Sequence, residues 1–126
     1  MNASLQTNLG THILADLWCC DSDQINDVPL LTSLLSGAAE KAGAMIVKAD
    51  FHRFEPQGVS GVVVIAQSHI TIHTWPELGY AALDVFTCGD NVDPLSAVVH
   101  VAEGLKSRCE FQIHERGIPK NRDEQD

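Results

Sequence analysis

The sequence predicts an α+β protein, a two-layer sandwich with a mainly antiparallel sheet and two helices on one face. Segments with strand-like alternation and with helical spacing follow in the order strand, helix, several strands, helix, strand. The consecutive strands in the middle are separated by short turns that contain Gly and Pro, which favours antiparallel neighbours. With both helices on one face of the sheet, we expect the other face to be available to a partner subunit.

The individual elements follow from residue patterns along the chain. The predicted strands are residues 12–19, 44–54, 59–66, 68–75, 80–87 and 109–114. Residues 28–42 place Leu and Ala at helical spacing, and Gly43 is a typical helix end. Asp93 and Pro94 are an N-cap and a first helical residue, and the second helix is predicted to run to about residue 107.

The composition predicts one soluble domain over residues 1–126, with 44% apolar and 20% charged residues. A net charge of −9 argues against a nucleic-acid partner, because phosphate binding needs clustered Lys and Arg. We see no secretion signal and no long apolar segment, so we expect a cytoplasmic protein without a membrane partner. No pair among the four cysteines has the two-residue gap of a zinc or redox motif, and free thiols are expected.

The most unusual segment is residues 68–77, with the sequence SHITIHTWPE. It concentrates a Ser, two His, two Thr, a Trp and a Glu directly after the apolar run VVVIA. A buried strand that turns abruptly polar and aromatic favours a functional site. The pattern alone is equally compatible with a half-exposed strand that carries polar residues on its outer face.

This segment resembles the autoprocessing segment of the bacterial and archaeal S-adenosylmethionine decarboxylases. Further family-like segments follow in the right order, from about residue 10 to 119; they are THILADLWCC, GVSGVVVIA, GYAALDVFTCGD and RGIP. The resemblance implies an enzyme of polyamine synthesis that decarboxylates S-adenosylmethionine to the aminopropyl donor for spermidine. It also implies a homodimer of processed protomers with sites near the subunit interface.

The resemblance implies that the chain makes its own cofactor by cleavage between residues 67 and 68. The Ser68 hydroxyl would attack the carbonyl of Gln67 and convert the amide to an ester. Elimination of the ester would leave dehydroalanine, which hydrolyses to a pyruvoyl group on the fragment of residues 68–126. The keto group would form a Schiff base with the substrate amine and accept the electrons released with carbon dioxide.

The resemblance also implies roles for three helper residues. His73 matches the processing histidine, and an imidazole suits proton transfer near neutral pH. Ser60, in the GVSG segment, is similar to a hydroxyl that assists processing. Cys88 matches the acid that protonates the substrate α-carbon. Without the motif, each residue would be taken as an ordinary strand histidine, turn hydroxyl or small buried hydrophobe.

Substrate contacts are implied in the same way. Glu77 matches a carboxylate that accepts hydrogen bonds from both ribose hydroxyls, and Phe54 matches an aromatic that stacks on adenine opposite the His73 ring. Trp75, Ile70 and Ile118 resemble residues of the pocket wall. Ordinary packing, or an exposed turn charge for Glu77, is the alternative for each.

Two features depart from a simple picture. Gln67 stands where the family usually has Glu, which removes a charge and predicts slower processing. In addition, Ser68 and His73 have opposite parity in a regular strand and would face opposite sides of the sheet. One site would therefore need a bulge near Ser68, or Ser68 beyond the strand end.

Other functions remain open from the residues alone. A pyruvoyl-dependent ornithine or arginine decarboxylase would keep Ser68, His73 and Cys88 but would not need the nucleoside contacts. An unprocessed, non-catalytic regulatory paralogue is a second alternative. A thiol hydrolase built on Cys88 and His73 lacks an evident orienting group. A metal site on His69 and His73 lacks a third ligand at a typical spacing, so no metal is expected.

Overall fold

The computed structural model describes residues 8–121 and 123–125, and it confirms the predicted α+β sandwich. The six strands are β1 (Gly10–Trp18), β2 (Ile46–Arg53), β3 (Val59–Ile65), β4 (Ser68–Trp75), β5 (Tyr80–Cys88) and β6 (Arg108–Arg116). The two α-helices are α1 (Val28–Lys41) and α2 (Pro94–Gly104). Short 3₁₀ turns that the patterns did not predict lie at Gln24–Asn26, Pro76–Leu78 and Asp123–Gln125.

The strands form one sheet in the order β2-β3-β4-β5-β1-β6, and all five neighbouring pairs are antiparallel. The bounds of β4 agree with the prediction, and the other elements differ by up to three residues at an end. Such differences are ordinary, because local patterns define the ends of elements poorly. No helix in the described part of the chain is long and apolar enough to cross a membrane.

Each helix begins at an aspartate that accepts backbone hydrogen bonds. The Asp27 carboxylate accepts from the Leu30 N–H, and the Asp93 carboxylate accepts from the Leu95 and Ser96 N–H groups. A proline follows each aspartate within the first turn. These groups satisfy N–H donors that have no partner inside a helix. Both helices pack against the same side of the sheet and against each other.

The alternation of buried and exposed residues separates two sheet faces. Residues on the helix-covered face form the core together with the apolar stripes of α1 and α2. We call the other side the open face. It carries the strand residues Lys48, Asp50, His52, Ser60, Val62, Val64, His69, Thr71, His73, Trp75, Tyr80, Ala82, Asp84, Phe86, His12, Leu14, Asp16 and Trp18. No helix among residues 8–121 and 123–125 covers this face, so its side chains are available to substrates or to another subunit.

The strand register defines two ends of the sheet. At one end, Gly10 of β1 pairs with Cys88 and with Arg116, close to the turn that joins β3 to β4. At the opposite end, Trp75 of β4 pairs with Tyr80. We call these the cleavage end and the tryptophan end. The predicted site residues divide between them.

Candidate active site

The expected cleavage bond lies in the tight turn between β3 and β4. Gln67 has a φ of 60°, the left-handed region that residues other than Gly adopt at a cost of about 1–2 kcal/mol. Ser68 is the first residue of β4 and is only 8% exposed. The peptide between residues 67 and 68 is therefore held in an unfavourable backbone conformation at the edge of the core.

Cys88 contacts both residues of this bond. Its thiol donates a hydrogen bond to the carbonyl oxygen of Gln67, with 3.1 Å between the sulfur and oxygen atoms. Its backbone N–H donates to the Ser68 Oγ at 3.1 Å. The thiol bond polarises the carbonyl that a serine nucleophile would attack. The bond from the Cys88 N–H holds the serine oxygen in place. A donor aimed at such an oxygen stabilises the negative charge that develops on it.

Ser60 and His73 form a second group on the open face. They are directly opposite each other in β3 and β4, and the Ser60 Oγ lies 2.8 Å from the His73 Nδ1. A hydroxyl and an imidazole at hydrogen-bond distance can pass a proton between them. The sequence pointed to each residue separately, and the β3–β4 hairpin brings the two together.

A cavity of about 270 Å³ lies beside this pair at the tryptophan end. Its lining includes five of the predicted site residues, which are Phe54, Ser60, His73, Trp75 and Glu77. Phe54 is 47% exposed and Trp75 40% exposed, so both rings present apolar surface to the cavity. Aromatic surface, a carboxylate and an imidazole around one hollow suit a ligand with a flat ring and hydroxyl groups.

The two groups are far apart within one chain. Five residues of extended strand separate Ser68 from His73, which corresponds to about 17 Å at the rise of a β-strand. The β3–β4 pairing is continuous from Ile65 and Ser68 to Ser60 and His73, so β4 has no bulge. The parity of the two residues therefore holds, and Ser68 lies on the helix-covered side. Neither condition for uniting them within one subunit is met, because β4 has no bend and Ser68 is its first residue rather than lying beyond its end.

Two predicted wall residues lie elsewhere. Ile70 is 0% exposed and belongs to the core beneath the sheet, because it shares the helix-covered face of β4 with Ile72. Its expected place in a pocket wall is not supported by the structure. Ile118 is 60% exposed and follows β6 at the cleavage end, and it is not among the residues that line the cavity.

The structure also bears on the two minor alternatives. His73 pairs with Ala82 of β5, six residues before Cys88, so the imidazole and the thiol of one chain are about 20 Å apart. A Cys–His hydrolase cannot form within one chain at that distance. Within the described residues, no cluster of three or more His, Cys, Asp or Glu side chains is arranged to hold a metal ion. All four cysteines are free.

Sequence patterns missed two supports of the site. Thr74 is buried between the exposed His73 and Trp75, and its hydroxyl joins β3 to the turn before α1. Tyr80 contacts the Trp75 ring and donates a hydrogen bond to Asp16. Neither role has a local signal, because the partners lie far away in the sequence. Only the buried parity of Thr74 in β4 indicated an inward-facing hydroxyl.

Comparison with known proteins identifies relatives of the whole chain. The family model described as S-adenosylmethionine decarboxylase matches residues 11–117. A Bacillus cytotoxicus protein named S-adenosylmethionine decarboxylase proenzyme is 52% identical over 105 residues, covering 83% of this chain and 81% of its own. A protein of the same name from Caldicellulosiruptor saccharolyticus is 56% identical over 99 residues, covering 79% and 80%.

A solved structure supports the same relationship. The crystal structure of the adenosylmethionine decarboxylase from Aquifex aeolicus superposes with a TM-score of 0.85 at 42% sequence identity. The match covers 91% of this chain and 96% of the Aquifex chain. Sequence and fold thus agree over most of the chain. The chain therefore belongs to the S-adenosylmethionine decarboxylase family.

Proposed function

We propose that this chain is a self-processing decarboxylase of S-adenosylmethionine that converts Ser68 to its pyruvoyl cofactor. The observation that carries the proposal is the contact of Cys88 with both sides of the 67–68 bond. The names of the relatives favour S-adenosylmethionine over ornithine or arginine. They favour an enzyme over a non-catalytic paralogue as well. The product would be the aminopropyl donor for spermidine.

Processing can be described from the residues at the bond. The Ser68 Oγ attacks the carbonyl carbon of Gln67, and the Cys88 thiol stabilises the charge that forms on the carbonyl oxygen. The C–N bond between residues 67 and 68 breaks as the ester forms. The tight turn no longer holds Gln67 at its unfavourable φ, so the strain there is released. Loss of the Ser68 α-proton then breaks the ester, and water replaces the nitrogen of residue 68 as ammonia is released.

After processing, residue 68 begins the second fragment and stays next to Cys88. The pyruvoyl group supplies an electron sink for the loss of carbon dioxide. Because Cys88 contacts residue 68, its thiol would be the group that returns a proton to the substrate carbon. Phe54, Trp75 and Glu77 would bind the nucleoside, with the carboxylate accepting from the ribose hydroxyls.

We further propose that the working enzyme is a homodimer that completes each site across the open faces. One chain holds Ser68 about 17 Å and Cys88 about 20 Å from its own His73, too far for proton transfer. A second copy placed face to face, with its strands reversed, would bring its tryptophan end over the cleavage end of the first. Exposed apolar side chains on the open face favour burial there; they include Leu14, Val64 and Trp75.

The first experiment is the intact mass of the denatured protein. We expect two fragments that meet between residues 67 and 68, the second one beginning with pyruvoyl in place of serine. Ser68→Ala is the matched control and should give one uncleaved mass. A wild-type chain that remains uncleaved after long incubation would refute self-processing. For the processed protein, release of carbon dioxide from S-adenosylmethionine, ornithine and arginine is then compared.

Complementation tests the shared site. Ser68→Ala and His73→Ala chains are expected to be inactive alone. When the two are co-expressed, random pairing should restore about a quarter of wild-type activity, because half of the dimers contain one site with both native residues. A site contained within one chain would give no recovery, since every chain would lack one of the two residues.

A cytoplasmic location without nucleic-acid or membrane partners also remains a prediction.

A further inference from the structure

Three aromatic rings form a continuous layer on the open face at the tryptophan end. Tyr80 of β5 is the middle ring, with its centroid 4.4 Å from Trp18 of β1 and 5.3 Å from Trp75 of β4. The planes are tilted by 31° and 33°, so the rings overlap rather than meet at an edge. Tyr80 therefore packs against one side of Trp75, while Trp75 also lines the candidate substrate cavity.

Asp16 fixes the middle ring. The Tyr80 hydroxyl donates a hydrogen bond to the Asp16 Oδ1 at 2.6 Å, a short distance typical of a charged acceptor. Burial, the hydrogen bond to Asp16 and the nearby charges of Asp16 and Asp84 raise the pKa of Tyr80 to about 12. The hydroxyl consequently remains a donor throughout the pH range in which such an enzyme is assayed.

The turn between β4 and β5 keeps the two rings side by side. Trp75 and Tyr80 are register partners, and Gly79 closes the intervening turn with a φ of 63°. A side chain at Gly79 would also approach the carbonyl oxygen of Cys20. The Trp75 ring is 40% exposed, so only part of its surface is held by neighbouring side chains. Its neighbour Tyr80 is itself fixed by the hydrogen bond to Asp16.

We propose that Tyr80, held by Asp16, is a positioning residue that keeps the Trp75 ring in place as a wall of the substrate cavity. The inference rests on the proposed function, because it assigns that cavity to the nucleoside of the substrate. Tyr80 contacts neither the cleavage bond nor Cys88, which lies at the other end of β5. Its loss should therefore weaken substrate binding and leave the chemical step unchanged.

Steady-state kinetics of the processed enzyme with S-adenosylmethionine provide the first test. Tyr80→Phe keeps the ring and removes the anchor, and we expect KM to rise about three- to tenfold with kcat unchanged, the scale of one net hydrogen bond. Asp16→Ala should have the same effect, and the double variant should be no worse than either single one. Asp16→Asn retains an acceptor oxygen and should restore most of the affinity.

The control is Asp84→Asn, which removes a carboxylate on the same face that is not bonded to Tyr80. It should leave KM unchanged. An equal rise of KM in this control would assign the effect to the charge of the face and overturn the proposal. Unchanged KM in both Tyr80→Phe and Asp16→Ala would overturn it too, as would a loss of kcat without a change of KM.

Fluorescence separates this proposal from the proposed function. In a Trp18→Phe, Ser68→Ala chain, Trp75 is the only tryptophan and no processing occurs. We expect Tyr80→Phe to increase the fast motion of the Trp75 ring in time-resolved anisotropy, and Asp16→Asn to leave it unchanged. Unaltered anisotropy in Tyr80→Phe would refute the positioning role. An inactive wild-type enzyme with the expected anisotropy change would instead refute only the proposed function.

Discussion

Replacement of Thr74 by Val should destabilise the protein through lost hydrogen bonds alone. Thr74 is 7% exposed, and its Oγ1 accepts from the Val59 N–H at 2.9 Å. The same hydroxyl donates to the Ile25 carbonyl at 2.7 Å. These two bonds join β3, β4 and the turn before α1. Val has nearly the same shape as Thr, so the substitution leaves packing intact and leaves two buried backbone groups without this partner.

The size of the effect follows from those two groups. An unsatisfied buried donor or acceptor costs about 1–3 kcal/mol, so we expect Thr74→Val to lower the free energy of unfolding by about 2–4 kcal/mol. Thr74→Ser is the matched control, because it keeps the hydroxyl and removes one buried methyl group. Its expected cost is about 1 kcal/mol.

Urea unfolding of Ser68→Ala chains is the appropriate assay, since every molecule then remains a single uncleaved chain. All variants are compared at one protein concentration, because association would shift the apparent stability. A Val variant as stable as its parent would refute the argument. It would equally fail if Ser cost as much as Val, because the methyl group would then be the important part of Thr74.

Three further predictions concern strain, packing and pH. Gln67→Gly in the Ser68→Ala background should raise the free energy of unfolding by up to about 1 kcal/mol, because Gly adopts a φ of 60° without strain. An unchanged urea midpoint would contradict backbone strain at residue 67. Gly61→Ala would place a methyl group against the Phe51 ring and should lower the free energy of unfolding by about 1–3 kcal/mol in the same assay. A double variant that also carries Phe51→Leu should recover part of this stability. Burial, and then the neighbouring Cys19, raise the pKa of Cys20 from 9.0 to about 11. Between these values the native state keeps a proton that the unfolded chain loses, so the free energy of unfolding falls as pH rises. Cys20→Ala should reduce this fall, measured as urea midpoints at several pH values, and an unchanged slope would exclude Cys20 as its source.

Much of the fold was predictable because its signals are local. The Asp93–Pro94 helix start and the buried–exposed alternation of β4 act over a few residues, and each appears in the structure where the sequence indicates it. The parity of β4 also predicted that Ser68 and His73 face opposite sides. The structure retains this parity. Ser68 and His73 therefore lie in one segment of the sequence but do not meet within one chain.

The parity of β4 applies to Ile70 as well. Its position between Ser68 and Ile72 predicts an inward-facing side chain, whereas a family resemblance assigned it to a pocket wall. The structure follows the parity, because an apolar side chain on the helix-covered face gains more from burial in the core than from exposure.

The sequence by itself determined the class of fold, since its signals depend on neighbours in the chain, and it predicted the candidate cleavage turn and the residues of the candidate site through a family resemblance. Tertiary structure decided which of these side chains meet. Strand order places Cys88 against Gln67, and it joins Asp16 to Tyr80 across 64 residues. Such pairs depend on the register between strands, which is set by packing of the whole sheet and leaves no local pattern.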